Sequence, residues 1–282
     1  DSACVESFKN DLLEICAARN NNVQLQVSDK ANQRGYFDAL KEQMDQANPT
    51  VSQRIAWKTN DGGEIKTQDI IALVWIPLSL ISPVKDHNGR VIEPVLAQNI
   101  YRNKGGCLKQ FEKLMSSPNV TAETGDGYKH ELRNAEVSSA FRIAVELPAL
   151  YDYIYEMFPK LYNAAGGIYG HITAVRSLNE KRKQITTPFS AREIETLSPD
   201  GYIVPLVYGL QALMEKRVVN GHYEIHWRQP PMPFLQQNLE KIVANYAGLF
   251  SMCDYDPQKL GKNAQSYTQA LGAFKMALAG IL

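Results

Sequence analysis

The chain has 282 residues, 44% of them hydrophobic and 21% charged, with thirty Lys and Arg against thirty Asp and Glu. That is material for one large globular domain or two modest ones. The balanced charge excludes binding to nucleic acid through a strongly basic overall field, so any such binding rests on a local patch.

In chain order, Val5, Phe8, Leu12, Ile15 and Cys16 recur at helical spacing and predict an amphipathic helix over 3–18. Arg19-Asn20-Asn21-Asn22 follows, then "VQLQV", whose alternation suits a short strand. "GYFDALKEQM" predicts a helix that ends at Asn48-Pro49. A short strand, a turn at Asn60-Asp61-Gly62-Gly63 and a helix capped by Thr67 come next. Its run Ile70-Ile71-Ala72-Leu73-Val74-Trp75 is apolar on every side, which places that helix at the centre of the fold. The longest apolar stretch, Ile70–Ile81, contains Pro77 and is too short to span a bilayer, so no membrane association is expected.

"HNGR" at 87–90 reads as a turn, and Val95–Met115 as a helix weakened by Gly105-Gly106. Residues 118–128 read as a loop, followed by helices over Leu132–Leu147 and Leu150–Tyr162. The tyrosines of the second helix are spaced for packing against a core rather than for stacking bases. A glycine-rich connection at 164–175 and a basic run at Lys181-Arg182-Lys183 lead to a segment expected to become helical after Pro205. Asn220-Gly221 between alternating arms predicts a hairpin, and helices at about 234–252 and 264–280 close the chain. The sum is an α+β fold, predominantly helical with a few short strands and hairpins.

No nucleophile elbow, P-loop, dinucleotide fingerprint or zinc-protease helix is present. Cys4, Cys16, Cys107 and Cys253 stand far apart without a CxxC, which fits buried free thiols in a reducing cytoplasm and argues against a thiolate metal site. His222 and His226, with Glu224 between them, share a hairpin face and read as solvent-facing polar residues before they read as metal ligands. No metal site is expected. His171, between glycines, reads first as part of a plain connection. Lys104, Lys109 and Lys113 cluster near Tyr101 and Arg102, a set suited to phosphate with Tyr101 as a stacking surface, and equally the wet face of an amphipathic helix. Arg19, Asn20, Asn22 and Gln24 offer a planar guanidinium and amides that both donate and accept. On residue chemistry alone that stretch reads equally as a helix stop and as the edge of a binding site.

The stretch "LLEICAARNNNVQLQVSDKANQRGYFDALKEQM" resembles the AIPR proteins, the abortive-infection phage-resistance family of bacteria. In that family a helix ends in an Ala-Arg-Asn-like step and leads to "VQ" and a segment close to "LANLKGYFD". The resemblance continues in order through "EIKTQDIIALVWI", "IYRNKGGCLKQFEKL" and "DGYIVPLVYGLQALME". It implies cytoplasmic antiphage defence, and a distant similarity to ParB-like proteins in which Arg19, Asn20 and Gln24 face one pocket near bound nucleotide or nucleic-acid phosphate. The Asp-Gly-x-His step of that comparison is absent from the chain, which opens on Asp1, and is expected upstream of it. The expected organisation is a ParB-like/AIPR core remainder over 1–117 and a mainly helical region over 118–282.

Three functions follow. The first is nucleic-acid or nucleotide binding through a pocket that includes Arg19, Asn20, Asn22, Gln24, Lys104 and Tyr101. The second is a non-catalytic helical sensor or docking module that recognises a phage protein or a defence-system partner. The third is a nuclease or nucleotide hydrolase whose catalytic motif lies upstream of Asp1.

Overall fold

The computed structural model describes residues 27–59, 61–164, 185–186, 193–194, 200–253 and 255–280. The helix expected at 3–18, all but the last residue of the strand expected at 23–27, and the connection and basic run after Ala164, His171 included, lie outside the described residues.

The fold is predominantly helical α+β. Two helices open it, α1 (Val27–Gln33) and α2 (Asp38–Ala47), and the second buries Leu40 and Met44. Asn48 ends α2, and Pro49 begins a further turn, α3 (Pro49–Ser52), because proline fits the first position of a helix as well as it blocks the last. β1 (Ile55–Ala56) and β2 (Ile65–Lys66) pair in parallel. The glycine pair between them therefore carries a crossover loop rather than a hairpin turn. α4 (Thr67–Leu78) follows directly, and ten of its twelve residues are buried. Thr67 is its first residue, not its cap, and its hydroxyl donates to the carbonyl of Ala56, tying the helix start to β1.

β3 (Val84–Lys85) and β4 (Val91–Ile92) flank the expected turn, where Asp86 Oδ1 accepts from the backbone N–H groups of Asn88 and Arg90. The single helix expected over 95–115 is two: α5 (Asn99–Arg102) and α6 (Lys104–Met115). The break falls at Asn103, not at the glycines, because its side chain accepts from Gly106 N–H at 3.0 Å and caps α6. The expected loop at 118–128 holds β5 (Thr121–Glu123), paired antiparallel with β6 (His130–Leu132). Three-residue strands of mixed polarity carry too little periodicity to be read. α7 (Ala135–Ala144), capped by Asn134, and α8 (Leu147–Ala164) come next, and β7 (Ile185–Thr186) pairs with β8 (Glu193–Ile194).

α9 (Asp200–Gly209) begins ahead of Pro205 and runs through it. One backbone hydrogen bond is lost, but Tyr202 stacks on Phe158 at 5.8 Å and meets Phe250 edge-on at 4.6 Å, so packing decides the start. A 3₁₀ turn, Leu210–Leu213, leads into the predicted hairpin of β9 (Met214–Val219) and β10 (His222–Trp227). Asn220 and Gly221 sit at φ 51° and 82°, the left-handed pair that a two-residue hairpin needs. α10 (Pro231–Ala247), α11 (Pro257–Lys262) and α12 (Ala264–Leu278) complete the chain.

One hydrophobic core runs from Ala31 to Ala277 and draws residues from both sides of position 117. α4 lies against α6 and α7, β10 covers α7, and α9 packs on α8, α11 and α12. Gly201 and Gly261 let α9 and α11 cross closely: a Cβ on Gly201 would lie 1.8 Å from the Pro257 carbonyl oxygen. Tyr151, Tyr155, Phe158 and Tyr162 are all buried, as their spacing requires. Tyr246 is fully buried, its hydroxyl has no hydrogen-bond partner among the described residues, and burial holds its pKa well above the usual phenol value. Tyr246→Phe is therefore expected to be neutral or to stabilise by up to about 1 kcal/mol in denaturant unfolding. A loss of that size would instead show that the hydroxyl is satisfied. Among the described residues no helix is long and apolar enough to cross a membrane.

Candidate functional site

Arg19, Asn20, Asn22 and Gln24 lie outside the described residues. The chain that continues from them becomes α1, and α1 packs on α6, the helix that begins with Lys104. Lys104 Nζ donates to Asp69 Oδ1 at 2.6 Å, a half-buried ion pair that joins the start of α6 to the first turn of α4. Tyr101, on α5, is half-buried and turns its ring to α11, where a Cβ on Gly261 would lie 2.7 Å from it. Lys104 and Tyr101 are thus held by two different elements, α4 and α11.

Where α1 meets α6, Glu112 is the acidic centre of a basic surface. Burial raises its carboxyl pKa, and the charges of Arg34 and Lys30 oppose that rise. Both cations are exposed, as is Lys109, one helical turn before Glu112. Exposed Lys113 lies 4.0 Å from Asp86. Also on α1, Asp29 accepts from the Thr59 N–H at 2.8 Å and its hydroxyl at 2.5 Å. Lys41 donates to the Asn32 side-chain oxygen and lies 5.3 Å from the centre of the Trp57 ring. Burial lowers the Lys41 pKa, the charges of Asp38 and Asp61 raise it, and Lys58 and Lys129 lower it further. Asn32, Lys41 and Trp57 carry no sequence signal as a set, since only the α1–α2 turn and β1 bring them together.

A second feature is a cleft of about 280 Å³ between the end of α2, the junction of α7 with α8, and the start of α10. Asn48, Leu150, Pro230, Pro231 and Pro233 help to form its walls, and Glu146 stands at its edge. The Trp227 indole N–H donates to Glu146 Oε1 at 3.1 Å. Glu146 keeps part of its surface in water, yet burial of its carboxyl raises the pKa, and the indole hydrogen bond only partly offsets this. No local pattern marks the cleft, because its walls lie some two hundred residues apart.

On the hairpin, Glu224 Oε2 accepts from Arg142 at 2.6 Å and lies 3.3 Å from His226 Nε2, while His222 is exposed. Among the described residues no group of three His, Cys, Asp or Glu is placed to hold a metal ion. Cys107 and Cys253 are buried free thiols, and burial pushes the Cys107 thiol up to about 12, so it is protonated at neutral pH. No protein-family model, curated protein or solved structure matches the chain.

Proposed function

We propose that the chain is a cytoplasmic bacterial antiphage defence protein of the AIPR kind that binds nucleic-acid or nucleotide phosphate beside α1 and α6. The observation that carries this reading is the packing of α1, which follows the Arg19–Gln24 segment in the sequence, on α6, where the charges of Lys30 and Arg34 act on Glu112, one helical turn after Lys109. Phosphate recognition needs such a local cation cluster in a chain of zero net charge. Arg19, Asn20, Asn22 and Gln24 supply the fork and amides that read the ligand. Lys104, held by Asp69, and Tyr101, held at Gly261, fix the start of the helix that carries Lys109.

Titration of single-stranded DNA, RNA and ATP over a salt series tests this. Wild type is expected to bind one of them with a negative slope of log K against log salt. Arg34→Ala and Lys109→Ala are each expected to reduce that slope by roughly 1 while leaving the fold intact. Arg19→Ala is expected to abolish discrimination among the three ligands. Unchanged binding in all three variants would remove the reading. A second reading, docking of a phage protein or defence partner, draws support from the hairpin tip, where cross-strand neighbours Val218 and Tyr223 are 66% and 53% exposed. Capture of a phage protein without any nucleic-acid affinity would favour it.

A further inference from the structure

Of the lysines in the described residues, Lys41 and Lys104 are half-buried and the others are exposed. The two are held differently. Lys104 pairs with the Asp69 carboxylate at 2.6 Å. Lys41, on α2, donates to the neutral side-chain oxygen of Asn32 on α1, and its Nζ lies 5.3 Å from the centre of the buried Trp57 ring. Among the described residues no carboxylate pairs with it. Asp38 is engaged with Lys129 at 3.4 Å, and Asp61 accepts from the Lys58 N–H at 3.0 Å. An amide oxygen and an indole face stabilise an ammonium less than a carboxylate does, while partial burial strips water from it. The free amine gains by comparison. The Lys41 pKa is lowered accordingly: burial is the largest cause, Lys58 and Lys129 add to it, and Asp38 and Asp61 oppose it. A lysine held this way is a nucleophile at pH values where exposed lysines are still protonated.

We propose that Lys41 is an acyl-acceptor site, modified by small activated acyl donors of the acyl phosphate or thioester class. The amine lone pair attacks the acyl carbon, and a C–N bond forms. The bond from that carbon to the phosphate oxygen or thiol sulfur breaks, and the leaving group takes the electron pair. The surplus proton on nitrogen passes to water, so the step needs no oxidant or reductant. The product keeps one N–H, which still donates to Asn32, so the tie between α1 and α2 survives. Its positive charge and its attraction to the Trp57 ring are lost. Acylation thus changes the charge beside α1 without unfolding it.

Peptide mass spectrometry of the full chain, treated briefly with acetyl phosphate or N,S-diacetylcysteamine over a pH series, tests the proposal. With at least one donor, Lys41 is expected to be acetylated roughly three- to tenfold faster near neutral pH than Lys58 and Lys129, and Lys104 more slowly than any of them. The Lys41 rate is expected to level off at lower pH than theirs, because a lowered pKa frees the amine at lower pH. Preference for acetyl phosphate assigns acyl phosphates as the source, and preference for the other donor assigns thioesters. Asn32→Asp sets a carboxylate against the ammonium and is expected to bring Lys41 down to the rate of Lys104. The wild-type comparison needs no variant, so the proposal stays testable if Asn32→Asp fails to fold. Lys41 reacting no faster than Lys58 and Lys129 with both donors, a pH profile equal to theirs, or an unchanged rate in Asn32→Asp would overturn it. The thioester arm contains no phosphate, so its outcome is independent of the nucleic-acid reading.

Discussion

Trp75→Ala is expected to destabilise the protein by about 3–5 kcal/mol, the range for emptying a large aromatic site in a packed core. For a chain of this size that lowers the melting temperature by roughly 6–20 °C. Trp75 is 2% exposed in α4, the helix that α6 and α7 pack against. Its indole N–H donates to the Cys107 carbonyl at 2.9 Å, so the residue both fills volume and pins α6 across the core. Losing it leaves a void that α6 cannot close while Lys104 stays bound to Asp69 at the helix start. Trp75→Phe separates the two contributions: most of the volume stays, the hydrogen bond goes, and the expected cost falls to about 1–2 kcal/mol. Denaturant unfolding of the two variants measures both. A loss below about 1 kcal/mol for the alanine variant would mean that α4 is not the structural centre.

That centrality was readable in the sequence because Ile70–Trp75 is apolar on every helical face, a pattern that only a surrounded helix tolerates. The Asn220-Gly221 hairpin was readable for an equally local reason, the backbone conformation its two residues prefer. Asn103 shows the limit. An asparagine before two glycines weakens a helix on propensity, yet here it starts a new one, and its capping bond to Gly106 appears only once α5 has turned. Pro205 shows the opposite bias: the sequence predicts helix only after the proline, while Tyr202 packs on Phe158 and Phe250 and the helix begins five residues ahead of it.

The candidate site was less legible than the fold. Lys104 and Tyr101 stand one turn apart in the sequence and suggest one surface, but Asp69 and Gly261, which hold them, come from distant elements. Lys30 and Arg34 carry no signal as sequence, since their meaning depends on Glu112, about eighty residues away. The Glu146 cleft needs Asn48, Trp227 and Pro230 in one place, an arrangement no spacing rule encodes. Local chemistry writes turns and caps into a sequence; sites built from several elements are written only in the packing.

Glu136 carries the second large effect. It is 8% exposed in the first turn of α7, where a helix N-terminus favours negative charge. Its carboxylate accepts from the Ser82 N–H at 3.1 Å to each oxygen, from the Ser82 hydroxyl at 3.1 Å, and pairs with Lys216 Nζ at 2.8 Å. One side chain thus joins the segment after α4, α7 and β9. Lys216 lies 5.4 Å from the centre of the Tyr223 ring, so the same network orients the hairpin. Glu136→Leu strands the Ser82 N–H and removes the counter-charge of Lys216, whose ammonium keeps only its hydrogen bond to the Ser82 hydroxyl oxygen at 3.1 Å. Removing one partner of a buried pair costs about 3–5 kcal/mol, and because Lys216 is one-third exposed the expected loss is about 2–4 kcal/mol. Lys216→Met leaves the carboxylate with both Ser82 donors and is expected to cost less, about 1–2 kcal/mol. The double variant is expected to be more stable than Glu136→Leu alone, because no uncompensated charge remains in it. Strict additivity of the two single losses in denaturant unfolding would show that the two charges do not act as a pair and that the Ser82 hydrogen bonds alone hold the hairpin side of the fold to α7.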